Sequence, residues 1–464
     1  MRAPHKGVDP VSGYRWTMTE RLDGHVSRQR QRLTASVTDL GVTRQRAMLI
    51  GLVRSRDGRA DGVASLAELV LLTDTAGSEP VVSELVRRER PDAATYIGKG
   101  KLEELVGISK AEDIDVVVFD NELSPAQQRN LQEAFQCDVV DRVALILDIF
   151  AQHAHTKEGM LQVELAQYRY RLPRLRGKGT AMSRLGAGIG TRGPGETKLE
   201  TDRRRILDRI RKIERELKDS ERSRATRSKR RRGSGEPVVA IVGYTNAGKS
   251  TLFNHLTDAG VLVEDRLFAT LDSTVRKLDL PHGHTALVSD TVGFVRDLPH
   301  ELVEAFRSTL EEATDADLLL HLVDASDEDP EHQIRAVRAV LDEIGADSVR
   351  EVIAYNKVDA IDSTTLTRLR SLHPDAAFIS ALTGEGVDEL LELVVDALRA
   401  TTIQLDLMIP YEHGDVLADA HESGDVLDQR HEDSGTSITI RLPHAAAARF
   451  RRFVVESPET SDAS

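Results

Sequence analysis

Cysteine is almost missing from this chain: Cys137 is the only one in 464 residues. No disulfide can close within the molecule, which fits a reducing compartment. Long hydrophobic runs are missing too, and none approaches the roughly 18 residues a membrane-spanning helix needs. Residues 1–46 are polar and Arg-rich, without the apolar centre of a secretory signal. These absences lead to the expectation of a cytoplasmic protein with no membrane span. Net positive charge is lacking as well. The formal net charge is -14, which taken alone argues against a nucleic-acid partner. The total hides an uneven distribution. Residues 203–232 hold 15 Lys/Arg against 5 Asp/Glu, while acidic residues gather in the last third, for example over 406–433. Such asymmetry says more than the sum.

What is present is a globular composition, 40% apolar and 30% charged, at a length that suggests three or four domains. Residues 1–45 lack periodicity and read as a mobile tail. Over 46–158, strands at 47–53, 81–86, 114–119 and 137–140 alternate with helices at 64–72, 101–106 and 143–154. Ser124 followed by Pro125 is helix-start chemistry. The alternation predicts a small α/β domain with a mainly parallel sheet. Residues 159–220 read as a helical hairpin. A helix over 160–170 ends near Pro173, seven glycines fall within 177–195, and a second helix begins at Glu196. Leu199, Ile206, Ile210, Ile213 and Leu217 form a stripe of coiled-coil type that should pack on the first helix. Residues 221–236 read as a polar, basic linker. A second α/β domain is expected over 237–400, with strands at 238–242, 285–289, 318–323, 352–355 and 378–380. Residues 401–464 read as a small α+β domain and tail, with strands at 403–409 and 437–442 and a helix near 414–423.

Gly243, Tyr244, Thr245, Asn246, Ala247, Gly248, Lys249 and Ser250 fit the pattern G-x-x-x-x-G-K-[ST] between an apolar strand and a helix. That context supports a phosphate-binding loop. Its backbone N–H groups can cradle phosphate oxygens, and the helix N-terminus adds positive charge. Lys249 is expected to reach the β- and γ-phosphates and Ser250 to ligate Mg²⁺. Asp290, Thr291, Val292 and Gly293 end a later strand. Asp290 can hold Mg²⁺ through water, and the Gly293 N–H can sense the γ-phosphate. Asn356, Lys357, Val358 and Asp359 end another, and a carboxylate there accepts both the ring N–H and the exocyclic amine of guanine. Ser380, Ala381 and Leu382 can meet the guanine carbonyl through the backbone. All four segments are expected at the carboxyl ends of strands, where open α/β sheets bind ligands. A switch threonine for Mg²⁺ must lie between Ser250 and Asp290, with Thr270, Thr274 and Thr285 as candidates; the exposed-loop pattern of Phe268, Ala269, Thr270, Leu271 and Asp272 favours Thr270. Lys249, Gly293 and Thr270 are the candidates to act on the reaction itself. Phe294 follows Gly293 where many GTPases place a water-orienting glutamine. Hydrolysis is therefore expected to be slow until a partner completes the site.

Together the motifs resemble the HflX family of translation-factor-related GTPases. The resemblance rests on Tyr96-Ile97-Gly98-Lys99-Gly100-Lys101, on 159–167 and 193–202 in the hairpin, and on 268–272 and 290–294. It spans roughly residues 46–442. It implies the expected fold class, α/β, with a P-loop GTPase domain preceded by a small α/β domain carrying a long helical hairpin and followed by a small α+β domain. It implies GTP and GDP as substrate and product, Mg²⁺ held by Ser250 and Thr270, and a monomer that binds the large (50S) ribosomal subunit and dissociates stalled or idle ribosomes. The glycine-rich loop would approach the peptidyl-transferase region. The basic hairpin suits rRNA backbone, although charge runs are usually solvated helix faces. The tail and 413–435 depart from the family pattern and are assigned no role. Two other readings compete: a GTP-dependent regulator of a protein partner, and an ATP/GTP-dependent RNA-remodelling factor with a second nucleotide site near Gly98–Lys101. His153 and His155 are read as structural rather than metal-binding.

Overall fold

The structure is a computed structural model that describes residues 14–17, 44–54, 59–175, 194–232, 236–257, 267–268, 270, 274–296, 310, 312–400, 402–443, 447 and 449–455. Two compact units divide the chain, residues 1–153 with 163–210 and residues 154–162 with 211–464.

The first unit is built on five strands: β1 (Tyr14–Thr17), β2 (Arg46–Val53), β3 (Glu79–Arg87), β4 (Val116–Phe119) and β5 (Asp138–Asp141), in spatial order β1-β3-β2-β4-β5. Apart from the antiparallel edge strand β1, the pairings are parallel. Strand β1 falls inside the segment expected as a tail. All four residues of β4 are buried, as expected for a parallel strand covered on both faces. Helices α1 (Arg59–Thr75), α2 (Lys99–Ala111), α3 (Pro125–Phe135) and α4 (Arg142–His153) connect and follow the strands. Helix α3 starts as its sequence predicts. The Ser124 hydroxyl accepts from the Gln127 N–H, and the Gln127 side chain accepts from the Ser124 N–H, a reciprocal cap. The core gathers Met48, Ile50, Val117, Phe119 and Leu131. The Gly98–Lys101 segment opens α2, and Lys101 pairs with the buried Glu84 at 3.3 Å. His153 bonds the Ile149 carbonyl through Nδ1 at 2.8 Å, a bond within its own helix.

Helix α5 (Lys157–Arg174) ends one residue after Pro173, near where the sequence placed its end. Its last turn is held from outside. Tyr170 donates to Asp141 at 2.8 Å, and Arg174 donates to the Leu123 carbonyl at 2.8 Å. Those bonds offset the donor that proline lacks. Helix α6 (Pro194–Arg232) pairs with α5 through Arg209–Glu164 at 2.5 Å and Ser220–Glu158 at 2.9 Å, with Ile210 and Ile213 of the apolar stripe buried. It continues through 221–232, which the sequence suggested as linker. Arg and Lys are good helix formers, and no Gly or Pro interrupts the chain before Gly233. The glycine-rich segment lies outside the described residues up to Gly193.

In the second unit a six-stranded sheet carries β6 (Val238–Gly243), β7 (Thr274–Asp279), β8 (Thr285–Asp290), β9 (Leu318–Asp324), β10 (Glu351–Asn356) and β11 (Ala377–Phe378), in order β11-β10-β9-β6-β8-β7. It is parallel except for β7, which runs against β8. Strand β7 was not among the expected strands. Helices α7 (Lys249–Thr257), α8 (Pro330–Ile344), α9 (Ser363–Leu372) and α10 (Val387–Ala400) complete this layer. Leu318, Leu320 and Leu322 face one apolar cluster with Leu252 and Leu390, whereas Leu319 faces another with Val337 and Phe294. That alternation is the two-sided burial a central strand needs. After α10 come β12 (Thr402–Ile409), α11 (Gly414–Ser423), β13 (Asp425–Glu432) and β14 (Gly435–Pro443), whose strands form an antiparallel sheet in order β12-β14-β13. Strand β13 lies within 413–435. Its polar, mostly exposed sequence suits the edge of this sheet and hides it from periodicity. No helix among the described residues is long and apolar enough to cross a membrane.

Candidate functional site

A cleft of about 460 Å³ opens at the carboxyl ends of β6, β8 and β10. Its floor is the loop between β6 and α7. Gly243 ends β6, and a Cβ there would lie 2.3 Å from the Leu322 carbonyl oxygen, so the neighbouring strand requires a glycine. Gly248 has φ +93°, a left-handed conformation that glycine adopts without strain, and a Cβ on it would meet Asn356 at 2.2 Å. The chain turns there and α7 begins at Lys249, leaving the first N–H groups of the helix turned to the cleft.

Lys249 is buried, and its Nζ donates to the Gly243 and Tyr244 carbonyls at 3.1 and 2.8 Å. Burial pushes its pKa down to about 8, against the opposing pull of Asp290. Burial likewise pushes the Asp290 carboxyl up, opposed by Lys249, Ser250 and Thr270. Each charge is therefore short of compensation in the free protein. An anionic phosphate beside Lys249 and a cation beside Asp290 would supply it. Ser250 Oγ lies 2.8 Å from both Thr270 Oγ1 and Asp290 Oδ2, and Thr270 Oγ1 lies 3.1 Å from the same carboxylate oxygen. Asp290 Oδ1 is buried with no hydrogen-bond partner among the described residues. Three converging hard oxygens and an unsatisfied fourth fit a cation such as Mg²⁺. Of the three threonine candidates, Thr270 is the one in this cluster. Thr274 and Thr285 open strands, paired in register with Asp290 and Asp279.

Asn356 ties the site together. Its Nδ2 donates to the Ala247 carbonyl, and its Oδ1 accepts from the Ala381 N–H, both at 2.8 Å and both buried. One side chain thus joins the phosphate loop to the segment after β11. Lys357, at φ +66°, is held by Asp324 at 2.6 Å. Asp359 is exposed on the cleft wall, beside Ala381 and Leu382. Across the cleft the Gly293 backbone lies so close that a Cβ would stand 3.0 Å from Lys249 Nζ and 2.8 Å from the Thr245 methyl.

The structure thus brings Thr245, Asn246, Gly248, Lys249, Ser250, Phe268, Thr270, Thr291, Gly293, Asn356, Lys357, Asp359, Ala381 and Leu382 to one cleft. Tyr244, Ala247, Val292, Val358 and Ser380 stand behind the wall and act through the backbone or by packing; Ser380 Oγ accepts from the Thr383 N–H at 3.1 Å. Ala269, Leu271 and Asp272 lie outside the described residues. Two wall residues escaped sequence reasoning, Thr251 and Ala360. The orphan N–H groups of a helix's first turn were a signal for Thr251. Ala360 closes the 3₁₀ turn that carries Asp359. Phe294 is 1% exposed and packs in the core with Leu310, Leu319 and Val337. It does more than fail to hydrogen-bond water: its ring is turned away from the cleft.

Comparison with known proteins places this geometry. Four family models match in chain order: GTP-binding GTPase N-terminal over residues 63–151, GTP-binding GTPase middle region over 153–231, 50S ribosome-binding GTPase over 238–357, and HflX C-terminal domain over 368–463. A protein named GTPase HflX from Caldanaerobacter subterraneus is 45% identical over 90% of this chain and 95% of its own length. The protein of that name from Lacrimispora saccharolytica is 49% identical over 79% and 86%. The one from Escherichia coli K12 is 39% identical over 90% and 97%.

Proposed function

The chain belongs to the HflX family of GTPases, and from that premise we propose that it binds the large (50S) ribosomal subunit and couples GTP hydrolysis to ribosome dissociation or rescue. The observation that carries this reading is the single cleft in which Lys249, the Ser250–Thr270–Asp290 oxygens and the Asn356–Asp359 segment meet. In this reading residues 237–400 are the GTPase domain, 46–158 the N-terminal domain, 159–220 the hairpin and 401–464 the C-terminal domain. Lys249 and the loop N–H groups hold the β- and γ-phosphates. Ser250 and Thr270 would hold Mg²⁺, with Asp290 reaching it through a water, and the ion would supply positive charge to neutralise the phosphates. The Gly293 N–H contacts the γ-phosphate. Asp359 accepts the two guanine N–H groups, and the Ala381–Leu382 backbone meets the carbonyl.

Support for the ribosome is family membership together with α6, whose residues 203–232 carry 15 Lys/Arg. Such a helix suits an rRNA backbone and predicts affinity that falls steeply with salt. The burial of Phe294 favours a catalyst that is slow alone and finished by its partner. The test is GTP hydrolysis with and without purified large subunits. Stimulation is the expected result, and its absence would sink the ribosome reading. Failure to co-sediment with ribosomes in the presence of a non-hydrolysable GTP analogue would move the reading to a protein partner.

A further inference from the structure

The chain that leaves β8 through Gly293 runs on beside the phosphate loop as a short parallel zipper. The Phe294 N–H donates to the Gly243 carbonyl at 3.1 Å, the Thr245 N–H donates to the Phe294 carbonyl at 2.7 Å, and Tyr244 pairs with Phe294 as residues of neighbouring strands do. Two residues further on, the Arg296 N–H donates to the Tyr244 hydroxyl at 2.5 Å. Of these three bonds, the last depends on a side chain. On the other side of Gly293, the Thr291 hydroxyl donates to the Ile241 carbonyl at 2.6 Å. Gly293 is thus held between two fixed points, so close to the phosphate lysine that a Cβ on it would stand 3.0 Å from Lys249 Nζ.

Tyr244 works in both directions. Its carbonyl accepts from Lys249 Nζ at 2.8 Å, while its hydroxyl accepts from the Arg296 N–H. Its half-buried ring packs on the core cluster that holds Phe294, Leu310 and Leu319. One loop residue therefore touches both the ammonium of the phosphate site and the chain that follows Gly293. We propose that Tyr244 is a positioning residue whose hydroxyl latches that chain to the phosphate loop and holds the Gly293 N–H in place for the γ-phosphate. This rests on the reading above that the Gly293 N–H contacts the γ-phosphate. The consequence is selective. GTP uses the Gly293 contact, and GDP, which has no γ-phosphate, does not. A segment that is already fixed need not be ordered on binding, so the latch lowers the cost of that one contact. Losing the latch falls on GTP and spares GDP. A residue that only packed the loop would affect both nucleotides alike, because both lie on the loop's N–H groups.

The test is equilibrium binding of a non-hydrolysable GTP analogue and of GDP, at fixed Mg²⁺, by the full chain and by its Tyr244→Phe variant. Phenylalanine keeps the ring in its packing and removes the hydroxyl alone. Affinity for the GTP analogue should fall about 3- to 10-fold, the scale of one hydrogen bond. GDP affinity should stay within about twofold of wild type on the same scale. Equal losses for the two nucleotides would overturn the proposal and make Tyr244 a packing residue. Unchanged affinity for both would overturn it as well. Gly293→Ala, measured alongside, separates the latch from the reading beneath it. If Gly293→Ala discriminates against the GTP analogue and Tyr244→Phe does not, the latch is wrong and the phosphate assignment stands. If neither variant discriminates, the phosphate assignment falls and the latch falls with it. No ribosome enters the measurement, so the ribosome reading is decided separately.

Discussion

Replacing Asn356 with alanine removes one side chain and breaks two loops apart. In the native site its amide donates to the Ala247 carbonyl and accepts from the Ala381 N–H, each at 2.8 Å and out of water. Alanine leaves both backbone groups without that partner in a position that is 2% exposed. Each orphaned buried group costs about 1–3 kcal/mol, so the pair costs roughly 2–6 kcal/mol. Some of that penalty falls on the protein whether or not nucleotide is bound. If half of the lower figure reaches the binding equilibrium, about 1 kcal/mol, GDP affinity falls roughly fivefold. The upper figure, wholly expressed, exceeds a thousandfold on the same conversion. Titration of a fluorescent GDP analogue at fixed Mg²⁺ measures the effect, with circular dichroism to check that the fold persists. A dissociation constant within twofold of wild type would refute the claim that Asn356 holds the phosphate loop and the guanine-facing segment in register.

Three further outcomes are expected. Asp359→Asn should turn preference from guanine towards xanthine nucleotides, because the amide offers a donor where guanine also donates; unchanged GTP affinity would remove Asp359 from base recognition. Gly293→Ala should weaken GTP-analogue binding more than GDP binding, since the added methyl stands 3.0 Å from Lys249 Nζ and 2.8 Å from the Thr245 methyl; parallel binding curves for both nucleotides would count against it. The third concerns acid. Burial alone would raise the Glu351 pKa, but His321, at 2.5 Å, and Arg338 overcome this and hold it at about 2. A depressed carboxylate pKa contributes stability that is complete above the unfolded value near 4.5 and lost as pH falls through about 2. Thermal unfolding followed between pH 5 and 2 should therefore be less pH-dependent in Glu351→Gln than in wild type, and identical slopes would contradict the assignment.

Much of the phosphate site was legible because its determinants are local. Glycines at Gly243 and Gly248 and a helix opening at Lys249 are encoded in eight consecutive residues, and the flanking strand is apolar in a single run. Apart from β1 and β7, the strands of both α/β sheets were equally legible, to within a few residues. Strand β7 was not. Its burial alternates poorly, and it exists because β8 offers an antiparallel edge. Strand β13 was lost to the same kind of context. The length of α6 was misjudged. A charged run was read as a linker where Arg and Lys propagate a helix.

By itself the sequence determined the family, the order of the domains and the residue types proposed to meet guanine, phosphate and cation, because each is carried by a short motif whose chemistry does not depend on distant neighbours. The tertiary structure decided what depends on packing across the sheet. It selected Thr270 over Thr274 and Thr285 by bringing its hydroxyl to Ser250 and Asp290. It made Asn356 the tie between two loops that are 109 and 25 residues away from it along the chain. It also turned Phe294 into the core. A motif fixes which side chain stands at a position, whereas the direction it faces follows from the apolar surface and hydrogen-bond partners that the rest of the fold brings to it.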